Sequence, residues 1–323
     1  MIVTVTPNPS LDITLGLDRF IHRGINRVQS SLREPSGKGL NVSLALHASG
    51  ADTIAVLPLG GPAGRELAGL AEAYGVQLRI ISIDGTVRSN VSLIENDGAT
   101  TKLNEPGPEL GEDEVTQLVE EALNASQRDG WLAYCGSLPR GFSPFQLARA
   151  IALAKQAGRN VALDTSDAAL HAVLSGPEAA TIPTVIKPNT YELATVTGRG
   201  LLTVGDVVGA ADVLLQRGVE TVLVSMGGDG GLLLDKAGAL YGRAPVHRVV
   251  NTVGAGDSFL AGYLWARDRD LSRDESLASA LRWGAIAVQH AGTLFPGLGD
   301  HEMTIQLGRV SAPEQPLSEA SVP

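Results

Sequence analysis

Residues 131–163 read WLAYCGSLPRGFSPFQLARAIALAKQAGRNVAL. A short apolar run (Trp131–Cys135) is followed by a Gly/Pro turn, an amphipathic stretch (147–154) and a second apolar run (160–163). Runs this short and apolar on both faces suit strands covered on both sides, and a helix-period segment between them makes a βαβ unit. The same alternation extends outward in both directions. Residues 2–6, 53–57, 78–83, 184–186 and 221–225 read as further buried strands. Val115, Leu118, Val119, Ala122 and Leu123 recur at helical spacing behind the acidic turn Glu112-Asp113-Glu114, and 207–215 carries a similar stripe; acidic residues favour the positive end of a helix dipole. The order predicts an α/β fold, a mainly parallel central sheet with helices on both faces, and ligands beyond the carboxyl ends of the strands.

Two polar-apolar alternating stretches, about 12–34 and 86–104, break this rhythm. They are expected to form a small antiparallel β lid, inserted discontinuously into a single domain spanning 1–310. Open lid edges need cover, so a homodimer through the lid is expected. The tail 311–323, SAPEQPLSEASVP, lacks periodicity and is expected to be disordered.

The 323 residues are 44% apolar and 19% charged, enough for a sizeable core and unlike a disordered chain. A net charge of -10 argues against nucleic acid or an anionic membrane as partner. The single cysteine, Cys135, cannot form an internal disulfide. Six scattered histidines show no metal-ligand spacing. With no long apolar run and no basic leader, a cytoplasmic protein is expected. Glycine, 38 residues, is in excess and points to tight turns.

Several of those turns lie where chemistry can occur. Asn251-Thr-Val-Gly-Ala-Gly-Asp-Ser258 opens a helical run, placing the N–H groups of Gly254, Ala255 and Gly256 at a dipole's positive end. That suits an oxyanion, or else a plain glycine turn with Asp257 as a helix-end carboxylate. Ser36-Gly37-Lys38-Gly39-Leu40-Asn41 also precedes a helical run, its glycines allowing a ligand near the backbone, or forming an ordinary loop. Two such starts in one α/β chain favour a phosphorylated ligand. Lys187-Pro-Asn189-Thr-Tyr-Glu192 reads equally as a capping box and as a phosphate and hydrated Mg²⁺ site. Ser225-Met-Gly227-Gly-Asp-Gly230-Gly231 follows a strand and is either a hairpin turn or a nucleotide loop. Cys135-Gly-Ser137 offers small groups for close approach, and Arg27, Arg88 and Asn90 lie on the lid, solvated or gripping a phosphate.

Gly37-Lys-Gly-Leu-Asn41 with Gly50 and Gly60-Gly61, together with Asn251 to Ser258, resembles in order and spacing the two signatures of the ribokinase-like carbohydrate kinases, the PfkB family, over residues 1–300. Thr6-Pro-Asn-Pro-Ser-Leu-Asp12, Thr86-Val-Arg88-Ser-Asn90, Lys102-Leu-Asn-Glu-Pro-Gly-Pro108 and Cys135-Gly-Ser-Leu-Pro139 are similar to the branch acting on phosphorylated ketohexoses. The resemblance implies a ribokinase-like three-layer sandwich and phosphoryl transfer from ATP, with Mg²⁺, to a small phosphorylated sugar. Fructose 1-phosphate is the first expectation, with tagatose 6-phosphate and fructose 6-phosphate as alternatives and a non-catalytic sugar-phosphate sensor as a different class. It implies Asp257 as general base and the N–H groups of Gly254, Ala255 and Gly256 as anion hole. Asp12, Asn41, Asn90, Ser137 and the Gly37–Gly39 turn would hold the sugar, while Lys38, Arg88 and Arg27 of a partner's lid would meet its phosphate. Lys187, Asn189, Ser225, Gly227 and Gly230 would hold the nucleotide, with Glu192 on Mg²⁺ through water.

Overall fold

The computed structural model describes residues 1–165, 167–175, 181–290, 292–299, 303–310 and 312–321. In chain order the strands are β1 (Ile2–Val5), β2 (Ser10–Leu17), β3 (Ser30–Ser36), β4 (Thr53–Leu59), β5 (Gln77–Ser82), β6 (Arg88–Glu95), β7 (Thr100–Asn104), β8 (Trp131–Cys135), β9 (Asn160–Asp164), β10 (Val185–Ile186), β11 (Leu201–Thr203), β12 (Thr221–Ser225), β13 (Gly231–Asp235), β14 (Gly238–Arg243), β15 (Gln306–Arg309) and β16 (Pro316–Ser321). The helices are α1 (Lys38–Ala48), α2 (Gly61–Ala73), α3 (Glu112–Ala125), α4 (Pro144–Gln156), α5 (Asp167–Ser175), α6 (Thr190–Thr197), α7 (Val204–Gln216), α8 (Ala255–Arg267) and α9 (Arg273–Ala287).

The βαβ unit of residues 131–163 forms as predicted, β8 and β9 pairing in parallel from Trp131↔Asn160 to Cys135↔Asp164. The main sheet runs β15-β14-β13-β12-β10-β9-β8-β1-β4-β5. It is parallel from β5 to β12 and ends in the antiparallel strands β13, β14 and β15. Because β1 has β4 on one side and β8 on the other, the winding reverses there and leaves a crevice beyond the carboxyl ends.

Alternate strand residues face opposite layers. Val3, Val5, Leu132 and Tyr134 pack with Leu118 of α3, Ile151 of α4, Val173 of α5, Leu193 of α6 and Leu214 of α7. Ile2, Trp131 and Ala133 pack instead with Leu46 of α1, Leu260 of α8 and Leu277 of α9, and Leu57 on that same side meets Leu67 of α2. The predicted stripe on α3 is the one that enters the core: Val115, Leu118, Val119 and Ala122 are buried and Leu123 packs at its margin.

Two expectations need correcting, and a third, the small antiparallel lid, is met with one refinement. Residues 78–83 were read as a strand buried on both faces, yet β5 is the sheet's edge and only Ile81 of it is buried; an apolar run does not reveal whether neighbours lie on both sides. The lid, in the order β3-β2-β6-β7, has two antiparallel pairings, but β2 and β6 are parallel. Both strands leave the carboxyl ends of parallel core strands, β1 and β5, and so emerge in one direction. Of the tail expected to be disordered, residues 316–321 form β16, antiparallel to β11; the contacts that order it are remote in sequence. Residues 311, 322 and 323 lie outside the described residues. Among the described residues no helix is long and apolar enough to cross a membrane.

Replacing Leu118 by Ala should cost about 3 kcal/mol of stability through the cavity it leaves, whereas Glu120→Ala on the exposed face of the same helix should stay within about 0.5 kcal/mol. Urea unfolding followed by circular dichroism measures both.

Candidate active site

Asp257 is buried in the first turn of α8, with Gly254 capping the helix at φ 77°. A Cβ on Gly254 would lie 2.4 Å from the carbonyl oxygen of Thr293, so only glycine allows this turn. Ala255 N–H reaches Thr252 O only at 3.4 Å, and the N–H groups of Gly254 and Gly256 make no backbone hydrogen bond among the described residues. Open donors at a helix start concentrate positive potential beside the Asp257 carboxylate. Asn41, on α1, donates its Nδ2 to Asp257 Oδ2 at 2.8 Å.

Asp164 ends β9 beneath this turn, with its side chain wholly buried. It pairs with Lys38 Nζ at 2.9 Å and Lys187 Nζ at 3.1 Å, while Glu192 Oε1 lies 3.6 Å from Lys38. Burial works to raise the Asp164 pKa, but the charges of Lys187 and Lys38 and their hydrogen bonds overcome it and hold the group ionised. Burial likewise opposes the charge on Lys38, and Asp164 and Glu192 more than restore it. Among the described residues Asp257 makes no ion pair of its own. Burial first, and then the negative charge of Asp164, push its pKa up to about 6, against the opposing pull of Lys38, Asn41 and Lys187.

A second polar group lies at the base of the lid. Asn90 donates Nδ2 to Ser10 Oγ at 2.9 Å and to Asp12 Oδ1 at 3.0 Å, and Ser10 Oγ donates to Asp12 Oδ1 at 2.8 Å. Register puts Asn90 and Asp12 side by side on one face, with Glu34 next across the sheet. Arg88 donates to the carbonyl oxygens of Asn8 and Glu105, and Asn8 Nδ2 donates to Ser137 Oγ at 3.3 Å. Buried polar atoms of the two groups, Asn8 Oδ1, Asn41 Oδ1, Asn90 Oδ1 and Arg88 Nε, have no hydrogen-bond partner among the described residues. Such atoms are costly to leave unpaired, and they fit a polar, hydroxyl-bearing and anionic ligand.

A family model described as pfkB family carbohydrate kinase matches residues 7–298. The chain belongs to the pfkB family of carbohydrate kinases. It is 35% identical over 301 residues to a 1-phosphofructokinase of Vibrio cholerae, covering 93% of this chain and 92% of that one. To a 1-phosphofructokinase of Haloferax volcanii it is 36% identical over 304 residues, covering 93% and 95%. The crystal structure of phosphofructokinase-2 from Escherichia coli in complex with potassium is similar at a TM-score of 0.87 and 29% identity, over 93% of this chain and 96% of that one; the same protein has also been solved with fructose-6-phosphate.

In this pfkB kinase Asp257, Asn41, Lys38, Lys187 and Glu192 converge on one cluster, and Asp12, Asn90, Arg88 and Ser137 on the adjoining one. Lys38 was expected at the sugar's phosphate, but its ion pairs place it with Lys187 and Glu192. Asn189 and Glu192 do form the capping box, each accepting the other's backbone N–H at 2.8 Å, and the second oxygen of Glu192 still faces Lys38. Ser225 ends β12, and Gly227 and Gly230 lie in the hairpin turn between β12 and β13, as the turn reading has it. Ser225 N–H bonds Pro188 O at 3.1 Å, so that turn also abuts the start of α6. Gly37 and Gly39 serve packing: a Cβ on Gly39 would meet Val5 O at 2.7 Å, and one on Gly37 would meet Pro9 Cα at 3.2 Å.

Arg27 is not brought to either cluster. It is exposed in the β2–β3 connection, beyond the far end of β2, whose seven residue steps from Ser10 to Leu17 span roughly 23 Å at strand spacing. Sequence reasoning missed Asp164, and the available signal was a charged residue closing a buried parallel strand. Among the described residues no three His, Cys, Asp or Glu side chains form a metal cage. One carboxylate, Glu192, suits a cation that keeps most of its water. Cys135 is buried, and burial together with Asp164 and Asp257 holds its thiol well above the usual range.

Asp257 makes stability depend on pH. A carboxyl whose pKa is raised to about 6 on folding binds its proton more tightly in the native state, so stability falls as pH rises from the ordinary carboxylate range through about 6. Asp257→Asn should therefore raise the thermal midpoint at pH 8, with the difference shrinking towards pH 4; calorimetry across that range is the measurement.

Proposed function

We propose that this kinase transfers the terminal phosphoryl group of ATP to the free primary hydroxyl of fructose 1-phosphate, giving fructose 1,6-bisphosphate. The observation that carries the reading is the buried Asp257 carboxylate set among open helix-end N–H groups and next to the Lys38–Asp164–Lys187 network. The relatives named 1-phosphofructokinase, similar over more than nine-tenths of both chains, support this acceptor. Fructose 6-phosphate is the second reading, because the similar Escherichia coli phosphofructokinase-2 is solved with that sugar.

In the proposed reaction Asp257 takes the proton of the attacking hydroxyl. Asn41 fixes the carboxylate's orientation through its 2.8 Å bond. The N–H groups of Gly254, Ala255 and Gly256 receive charge that grows on the transferred group. Asp12, Asn90, Ser137 and the Gly37–Gly39 backbone hold the sugar, and Arg88 meets its phosphate. Lys38, Lys187 and Asn189 face the nucleotide's phosphates, while Ser225, Gly227 and Gly230 line the nucleotide. When bound, hydrated Mg²⁺ offsets phosphate charge, and Glu192 holds it through water.

A homodimer through the lid completes the proposal. Leu32 and Ile94 share the lid face of Asp12 and Asn90 and are exposed at 48% and 39%, apolar surface that a second lid would cover. Arg27 would then serve the partner's sugar phosphate. A single buried thiol fits a reducing, cytoplasmic setting.

An ADP-release assay over fructose 1-phosphate, fructose 6-phosphate and tagatose 6-phosphate should show the highest kcat/KM for the first. Turnover of fructose 6-phosphate alone would replace the first acceptor with the second. Since the base must be ionised, kcat/KM should rise with pH through about 6. Asp257→Asn should lower kcat by about 10²- to 10⁴-fold while ADP still binds, and undiminished turnover would remove Asp257 from the reaction. For the dimer, light scattering should give a mass near twice that of the chain, reduced by Leu32→Asp.

A further inference from the structure

The family model stops at residue 298, yet the chain continues and returns to the crevice. β16 pairs with β11 between Leu201↔Ser321 and Thr203↔Pro316, and the segment before it accepts Val204 N–H and Gly205 N–H on the carbonyl oxygens of Gln315 and Pro313 at 2.9 and 2.7 Å. From that anchorage the strand touches both loops assigned above to the nucleotide. Ser321 Oγ donates to Thr190 Oγ1 at 3.0 Å, at the first residue of α6 and next to Asn189. Ser318 donates its backbone N–H and its hydroxyl to the two oxygens of Asp229, at 2.7 and 2.6 Å.

Asp229 sits inside the glycine turn, between Gly228 and Gly230, and is only 7% exposed. A buried carboxylate needs donors on both oxygens, and among the described residues both hydrogen bonds it accepts come from Ser318. The rest of the turn is held by Tyr241 Oη on Asp229 O at 2.6 Å and by an Arg243 nitrogen on Gly228 O at 2.8 Å. Gly227 and Gly230 both have positive φ, and a Cβ on Gly227 or Gly228 would meet no atom of the described residues within 4 Å, so among these residues nothing backs the outer side of the turn. Removing the tail's donors would leave a desolvated charge, and the turn would have to open to hydrate it.

We infer that the C-terminal strand is a working part of the nucleotide site, with Asp229 and Ser318 as positioning residues that set the turn 227–230 against the start of α6. This rests on the reading of residues 225–230 as the nucleotide loop. The effect should fall on ATP and spare the sugar, whose proposed contacts come from β2, β6, α1 and the loop after β8.

The test uses the full-length chain with Ser318→Asp, which sets a second carboxylate against Asp229, and with the milder Ser318→Ala in case the first folds poorly. Ser318→Asp should raise KM for ATP and the Kd for ADP roughly tenfold, and Ser318→Ala about threefold, as expected for losing charge-assisted hydrogen bonds. KM for the sugar phosphate should stay within about twofold. Adding Asp229→Asn to Ser318→Asp restores a donor-acceptor pair and should recover most of the ATP affinity, a rescue that simple loosening of the fold would not give. A fall in thermal midpoint with both KM values unchanged, or with both raised alike, would overturn the inference. Gly228→Val tests the underlying reading separately. Unchanged ADP binding there would take the nucleotide off the turn and overturn both, whereas ADP binding weakened by Gly228→Val but untouched by either Ser318 variant would overturn only the role of the tail.

Discussion

Two lysines share one buried carboxylate at the floor of the crevice, and the rest of the site is arranged around that triad. Asp164 ends β9, Lys38 opens α1 and Lys187 follows β10, so the triad ties the strands near the topological switch to the helix that carries Asn41. Removing either kind of partner would strand a charge in low dielectric at a cost of several kcal/mol, which makes the geometry stiff. Glu192, 3.6 Å from Lys38, supplies the second negative charge, so two lysines are matched by two carboxylates. The triad also conditions Asp257: burial first, and then the negative charge of Asp164, keep that nearby carboxyl reluctant to ionise.

The architecture was largely legible from periodicity. Apolar runs of five residues such as Trp131–Cys135 and Thr221–Ser225 are strands with those bounds, since burial on both faces leaves little room for polar residues. The stripe on α3 was legible for the same reason. What periodicity does not encode is the neighbour: the run read as an inner strand at 78–83 lies at an edge, and β2 and β6 look alike whether they pair in parallel or not.

The site divided along a similar line. Glycine turns before helices were readable because unpaired N–H groups and positive φ leave a local trace, as at Gly254. The capping box of Asn189 and Glu192 could be read from four residues, and its reality did not compete with a place in the cluster. Asp164 was missed because its meaning depends on two lysines separated from it by 126 and 23 positions, brought together only by the sheet order. Ser318 was hidden for the same cause: a polar tail without pattern becomes a strand once a buried carboxylate elsewhere needs its donors.

Cys135 lends the floor of the crevice one more property. The chain's one sulfhydryl is shut off from solvent and held in its protonated form by burial and by the carboxylates of Asp164 and Asp257. Thiolate character and access govern attack by peroxide, disulfides and alkylating agents, and this side chain has neither. The folded enzyme therefore offers thiol-directed reagents no target: an electrophile that silences thiol-dependent neighbours would reach this sulfur only once the sheet itself opened.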